Sequence, residues 1–222
     1  MADPPVLYHM PISHYCVCAE RLLAFKGVRF RTVSVPYHDK RELIAGTGQD
    51  YVPALVWDGT VVPWAEIPGF VEGKVPTPTL FPDGRRALAE TIDSWGHLVL
   101  EERVWRAVVT RVPPRFVDPV ERWVFEEMQN RARGPWAVLE ARRPEFWNDL
   151  QPYLRLVDGM VAEGPFVLGT ASLADFGLFG ALSPMLQIGE SVPEEFASLR
   201  SWIARVEAIG DPPAALPRRT MK

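Results

Sequence analysis

At 222 residues the chain is long enough for one large domain or two small ones, and 47% hydrophobic residues suffice to fill a sizeable core. The 8 Trp, 11 Phe and 5 Tyr exclude disorder along the whole chain. A net charge of −4, from 24 Lys and Arg against 28 Asp and Glu, disfavours the nucleic-acid binders, which are usually basic. No run of about 18 apolar residues is present, so no membrane span is expected. Met1-Ala2-Asp3-Pro4-Pro5 lacks the basic and apolar regions of a secretory signal. Two cysteines, Cys16 and Cys18, provide no disulfide framework, which fits a reducing cytoplasm.

In chain order, Val6–His9 reads as a first strand, ended by Met10-Pro11. A helix follows over about His14–Lys26, with Lys26 in its last turn and Gly27 just beyond, both C-terminal signals. Val28–Val35 alternates as a second strand with one wet face. Asp39–Ile44 reads as a short helix broken at Gly46 and Gly48. Val52–Trp57 and Thr60–Val62 flank Asp58-Gly59 as a hairpin. Ala65–Glu72 is helical, with Pro68 tolerated near its first turn. Residues 76–84, carrying Pro76, Pro78 and Pro82, read as a linker. Beyond it the pattern is helical. Arg85–Val112 forms one long helix, with Leu88, Ile92, Trp95 and Val99 on a common stripe. Further helices are predicted near 119–133, 144–163, 172–188 and 193–209, and no strand after residue 84. The strand–helix–strand opening implies a parallel pair, to which the hairpin adds antiparallel strands. The fold class expected is an α/β domain of order βαβαββα over 1–75, followed by an all-α bundle over 85–222.

Three segments carry a family resemblance. Leu7-Tyr8-His9-Met10-Pro11-Ile12-Ser13-His14-Tyr15-Cys16, with Arg21–Val28, resembles the opening of a glutathione transferase. Val52-Pro53-Ala54-Leu55 before Asp58-Gly59 resembles that family's cis-proline strand, and Gly164–Phe176 its C-terminal capping-box signature. The resemblance spans nearly the whole chain in order and spacing. It implies a thioredoxin-like N-terminal domain that binds glutathione, an all-helical C-terminal domain and a homodimer. The implied activity is addition of the glutathione thiolate to small hydrophobic electrophiles, a detoxification chemistry.

The chemical candidate is Ser13-His14-Tyr15-Cys16, which stands where the resemblance puts the Cys-Pro-Tyr-Cys motif of glutaredoxins. A helix N-terminus offers free N–H groups and partial positive charge to an anion such as a thiolate. A free thiol of pKa about 8.5 is only slightly ionised at neutral pH, so a hydroxyl donating to the sulfur helps activate it. Ser13 is then the catalytic donor, with Cys16 as the fallback. The other reading of Ser13 is a plain helix N-cap. Tyr8 is a rival activator, better placed for packing. The resemblance further implies that Val52, before the cis bond to Pro53, presents its backbone to the cysteinyl part of glutathione. It also places Ala65 and Glu66 at the γ-glutamyl end. There the family carries an acid followed by Ser; Val61–Pro68 has no such pair, and Glu66 is the acid in reach of the amine.

His9, His14, Cys16 and Cys18 fit no common zinc spacing, and no metal is expected. Ser172-x-x-Asp175 before an apolar run is a capping box, a structural device. Trp105 and Trp123 are candidate walls for the electrophile. Arg103, Arg106 and Arg111 form a basic face, solvated unless it borders the cleft. Two rival functions stay open. One is a non-catalytic interaction protein that keeps the fold and has lost glutathione binding; the other is a glutathione-dependent reductase or isomerase using Cys16.

Overall fold

The structure, a computed structural model, describes residues 3–210; residues 1–2 and 211–222, the two ends of the expected domains, lie outside the described residues. A four-stranded sheet comes first, built from β1 (Val6–His9), β2 (Arg31–Ser34), β3 (Ala54–Trp57) and β4 (Thr60–Pro63), in the order β2-β1-β3-β4. β1 runs parallel to β2, with Val6 opposite Arg31, and antiparallel to β3, with Leu7 opposite Leu55. The β3–β4 hairpin closes from Trp57 to Thr60. Asp58 (φ 50°) and Gly59 (φ 78°) both take the left-handed conformation that a two-residue hairpin of this hand requires.

Helix α1 (His14–Phe25) crosses between β1 and β2, and α2 (Arg41–Thr47) between β2 and β3. Both corrections at α2 have a local cause. Gly46 does not break it, because the helix packs there on Tyr8 so closely that a Cβ would collide with the phenol oxygen. Gly48, at φ 71°, ends it instead. β2 is shorter than expected, since Val28 and Phe30 are buried in its approach. A 3₁₀ turn (Trp64–Glu66) leads into α3 (Ile67–Lys74), with Pro68 in its first turn.

The helical half consists of α4 (Arg86–Trp95), α5 (Glu101–Val108), α6 (Pro119–Arg133), α7 (Trp136–Ala141), α8 (Arg143–Met160), α9 (Leu173–Gln187) and α10 (Ala197–Glu207). The single helix expected over 85–112 is interrupted by a π turn at Gly96–Leu100. The expected stripe is not the core face of these helices. Leu88 is exposed and Ile92, Trp95 and Val99 half-buried, while Ala89, Leu100, Val104, Ala107 and Val108 are buried. Helix α7, only six residues long, is too short to show a period in the sequence. Beyond residue 84, an isolated bridge between Leu168 and Thr170 is the one β pairing among the described residues.

Helix α9 is buried at every position from Leu173 to Met185. Its apolar surface on all sides marks it as the central rod. It passes α1 at Gly180, where a Cβ would lie 2.6 Å from the His14 carbonyl, and α4 at Gly177, where one would lie 2.8 Å from Asp93 Cα. At its start a capping box joins Ser172 and Asp175. Asp175 accepts from the Ser172 N–H (3.0 Å), the Ser172 hydroxyl (2.8 Å), the Val167 N–H (3.0 Å) and the Trp202 indole (2.8 Å). Burial raises the Asp175 pKa against these donors.

Lys26 caps α1 but is also a clasp. Its fully buried ammonium meets Glu72 and donates to the carbonyls of Val75 (2.7 Å) and Pro78 (2.5 Å). Glu72 also accepts from the Thr79 hydroxyl (2.6 Å) and the Leu80 N–H (3.0 Å). These donors hold its carboxyl below its ordinary value despite burial. The segment after α3 is thereby tied to the end of α1. No helix among the described residues is long and apolar enough to cross a membrane.

Candidate functional site

A cavity of about 300 Å³ opens where the β1–α1 turn, the loops after β2 and before β3, and helices α5 and α6 meet. Ser13 and Val52 both line it. Ser13 sits at the N-cap of α1 with extended backbone (φ −76°, ψ 120°), held by its N–H on the Met10 carbonyl (2.9 Å). Its side chain makes no capping hydrogen bond. The first N–H groups of the helix have no partner within it and point toward this end. The Val52–Pro53 bond is cis, and Val52 lies outside the strand register, which begins at Ala54.

Cys16, one turn into α1, is fully buried; its sulfur accepts the Met10 N–H at 3.3 Å. Burial pushes its thiol up to about 12, although Ser13 and the Met10 N–H favour the thiolate. It is a packed, protonated thiol. Ala65 and Glu66 are exposed on the 3₁₀ turn after β4 and do not line this cavity. Trp64 packs instead against Tyr15 (ring centroids 5.2 Å) and His97 (5.4 Å). Tyr8 is away from the cavity, seated on Gly46.

The opposite wall comes from the helices. Trp105 lines it, 7% exposed, whereas Trp123 is 61% exposed and takes no part. Arg106 and Arg111 are paired with Glu102 and Glu140, and Arg103 lies over the Tyr153 ring, so this basic face does not reach the cavity. Its cations are Lys40 and Arg133, and Arg133 is braced by Gln129 (2.6 Å) and Glu102 (2.9 Å). These two, with Glu101 and Gln129, escaped the sequence reading because each lies in an ordinary polar stretch; only the fold brings them to the β1–α1 turn.

His14 and Glu101, both partly buried, form a pair at the cavity edge, with Nδ1 3.3 Å from Oε1. Burial, with His97 and Arg133 nearby, lowers the His14 pKa to about 3. Burial raises that of Glu101 to about 7, with Glu102 adding and Arg133 opposing. Near neutral pH the imidazole is uncharged and the carboxyl titrates.

A sheet of this topology followed by a helical region, with a cavity at the N-terminus of its first helix beside a cis-proline, defines the class of proteins that join a thioredoxin-like sheet to C-terminal helices. Residues 7–63 match the family described as glutathione S-transferase, N-terminal domain. No curated protein sequence matches the chain. Among solved structures, it is similar to a glutathione transferase from Phanerochaete chrysosporium, with 20% identity and a TM-score of 0.79 over 95% of this chain and 99% of that one. Glutaredoxin 2 from Salmonella typhimurium, solved in complex with glutathione, gives 21%, 0.73, 92% and 95% in the same order. A glutathione S-transferase from Xylella fastidiosa gives 21%, 0.65, 94% and 94%. Residues 7–63 thus match the glutathione S-transferase N-terminal domain, and the chain as a whole shares the fold of these structures.

Proposed function

We propose that the protein is a glutathione transferase. Residues 1–75 bind glutathione, 76–84 connect, and the helical region 85–222 supplies the electrophile side of the cavity. The observation that carries this reading is the meeting of Ser13, free of any capping bond, with Val52 on one cavity opposite the apolar wall of Trp105. The Val52 backbone and Pro53 hold the cysteinyl part of glutathione; Ala65 and Glu66 face its γ-glutamyl end. Ser13 donates to the sulfur and the α1 N-terminus adds its partial charge, so the thiol ionises near neutral pH. The thiol proton passes to solvent, and the thiolate forms a bond to the electrophilic carbon of a small hydrophobic substrate as that carbon's bond to its leaving group, or one bond of its multiple bond, breaks and takes the electron pair. Cys16 is too deeply buried to serve as the attacking thiolate. The protein works in the cytoplasm as a homodimer.

The non-catalytic reading rests on a specific observation: Ala65 and Glu66 are exposed and no serine follows the acid. Titration calorimetry with glutathione separates the two. Saturable heat at sub-millimolar ligand supports the transferase; no heat at several millimolar moves the protein to the interaction class.

A further inference from the structure

Behind the cavity, on the other side of His14, lies a second buried polar group. Cys18 comes from α1, Asp93 from the last turn of α4, and His97 from the π turn, and their donor atoms lie within 4.8 Å of one another. Cys18 Sγ is 3.9 Å from Asp93 Oδ1, and His97 Nε2 is 3.2 Å from the same oxygen. Cys18 is fully buried and His97 is 6% exposed. Neither ring nitrogen of His97 has a hydrogen-bond partner among the described residues, so the 3.2 Å approach to Asp93 is not aligned as an N–H···O bond. Two donor atoms thus lie within reach of a shared ligand without being bonded to each other.

We propose that Cys18, Asp93 and His97 bind a zinc-type divalent ion that fastens α1 to α4. Donor atoms around a tetrahedral zinc stand roughly 3.2–3.8 Å apart, given metal–ligand distances of about 2.0–2.3 Å. The two separations to Asp93, 3.2 and 3.9 Å, stand close to the ends of that range, and all three donors lie within 4.8 Å of one another. A thiolate, an imidazole and a carboxylate form the mixed set that a borderline-soft ion takes, and water fills the fourth position. The fold makes room for the site. The π turn carries His97 inward while leaving Leu98 73% exposed, and a Cβ at Gly177 would collide with the Asp93 carboxylate. The Asp93 side chain, 14% exposed, gives the ion its way in. Binding displaces the Cys18 thiol proton to solvent, so affinity rises as pH rises. A protonated cluster, with Cys18 donating to Asp93, is the competing state of the same atoms; its S···O distance of 3.9 Å makes a weak bond.

The test is titration of the full-length protein with cobalt(II) alone, without glutathione. A near-ultraviolet sulfur-to-cobalt charge-transfer band should rise to a plateau at a single equivalent and vanish when zinc is added. Cys18→Ser should lose the band, Cys16→Ser should keep it, and His97→Gln should weaken cobalt binding at least about tenfold. Absence of the band in the wild-type protein overturns the proposal without recourse to any variant. A band lost in Cys16→Ser and kept in Cys18→Ser overturns it as well.

Discussion

Two serines open the two helices that pack on each other at Gly180, and they are used in opposite ways. Ser172, fully buried at the start of α9, gives its N–H and its hydroxyl to Asp175, which also holds Trp202 and Val167. Ser13, at the start of α1, makes no capping bond and lines a cavity. The difference lies three residues on, where α9 has an acid to return to the cap and α1 has Cys16. A helix start closed on itself is architecture. One left open leaves the first N–H groups of its helix without a capping side chain.

The largest break in this contrast is Asp175→Ala, which strands buried donors from Ser172, Val167 and Trp202. It should lower unfolding free energy by about 3–5 kcal/mol in denaturant titrations. Ser13→Ala should change stability by less than about 0.5 kcal/mol, because no capping bond is lost. Its effect should fall on turnover, by about ten- to a hundredfold, the worth of one hydrogen bond to a charged sulfur. The pKa of bound glutathione should rise in the same variant. Equal loss of stability in Ser13→Ala and Ser172→Ala would make the two serines alike and remove the contrast.

A subtler test uses His14 and Glu101 at the open end of α1. Glu101, raised to about 7 from 4.5, contributes stability that is present below pH 4.5 and lost as pH rises through 7. His14, lowered to about 3 from 6.5, contributes stability that is present above pH 6.5 and lost as pH falls toward 3. Between pH 4.5 and 6.5 the unfolded chain carries one proton on His14 and the folded chain one on Glu101. The pair therefore adds no slope in that window. Glu101→Gln should tilt stability upward with pH there, and His14→Gln downward, each by up to about 1.4 kcal/mol per pH unit relative to wild type. Denaturant midpoints across the window check both signs.

The fold was legible because its signals are local. The Asp58-Gly59 turn, Gly27 after α1 and the Ser172–Asp175 box each lie within a few residues of what they determine. Of the cavity lining, Ser13 and Val52 were legible along the resemblance, and Trp105 as a candidate wall. Lys40, Glu101 and Arg133 reach the cavity from three separate stretches, and no spacing announces such a meeting. The expectation of no metal weighed His9, His14, Cys16 and Cys18, neighbours in sequence; the cluster the fold assembles joins Cys18 to Asp93 and His97, 75 and more residues away. Lys26 looked like a dipole partner for α1 because Glu72 and the carbonyls it meets lie about fifty residues on.

That lysine has a consequence for how the chain can be cut. Glu72 and Val75 lie before the exposed Pro76-Thr77 step and Pro78 after it, so one ammonium grips both sides of any break made there. The seam of α1 on α9 holds the same two pieces together elsewhere. Fragments expressed as 1–77 and 78–222 should therefore find each other and elute as one species, a two-part reporter whose reassembly is weakened by Lys26→Ala.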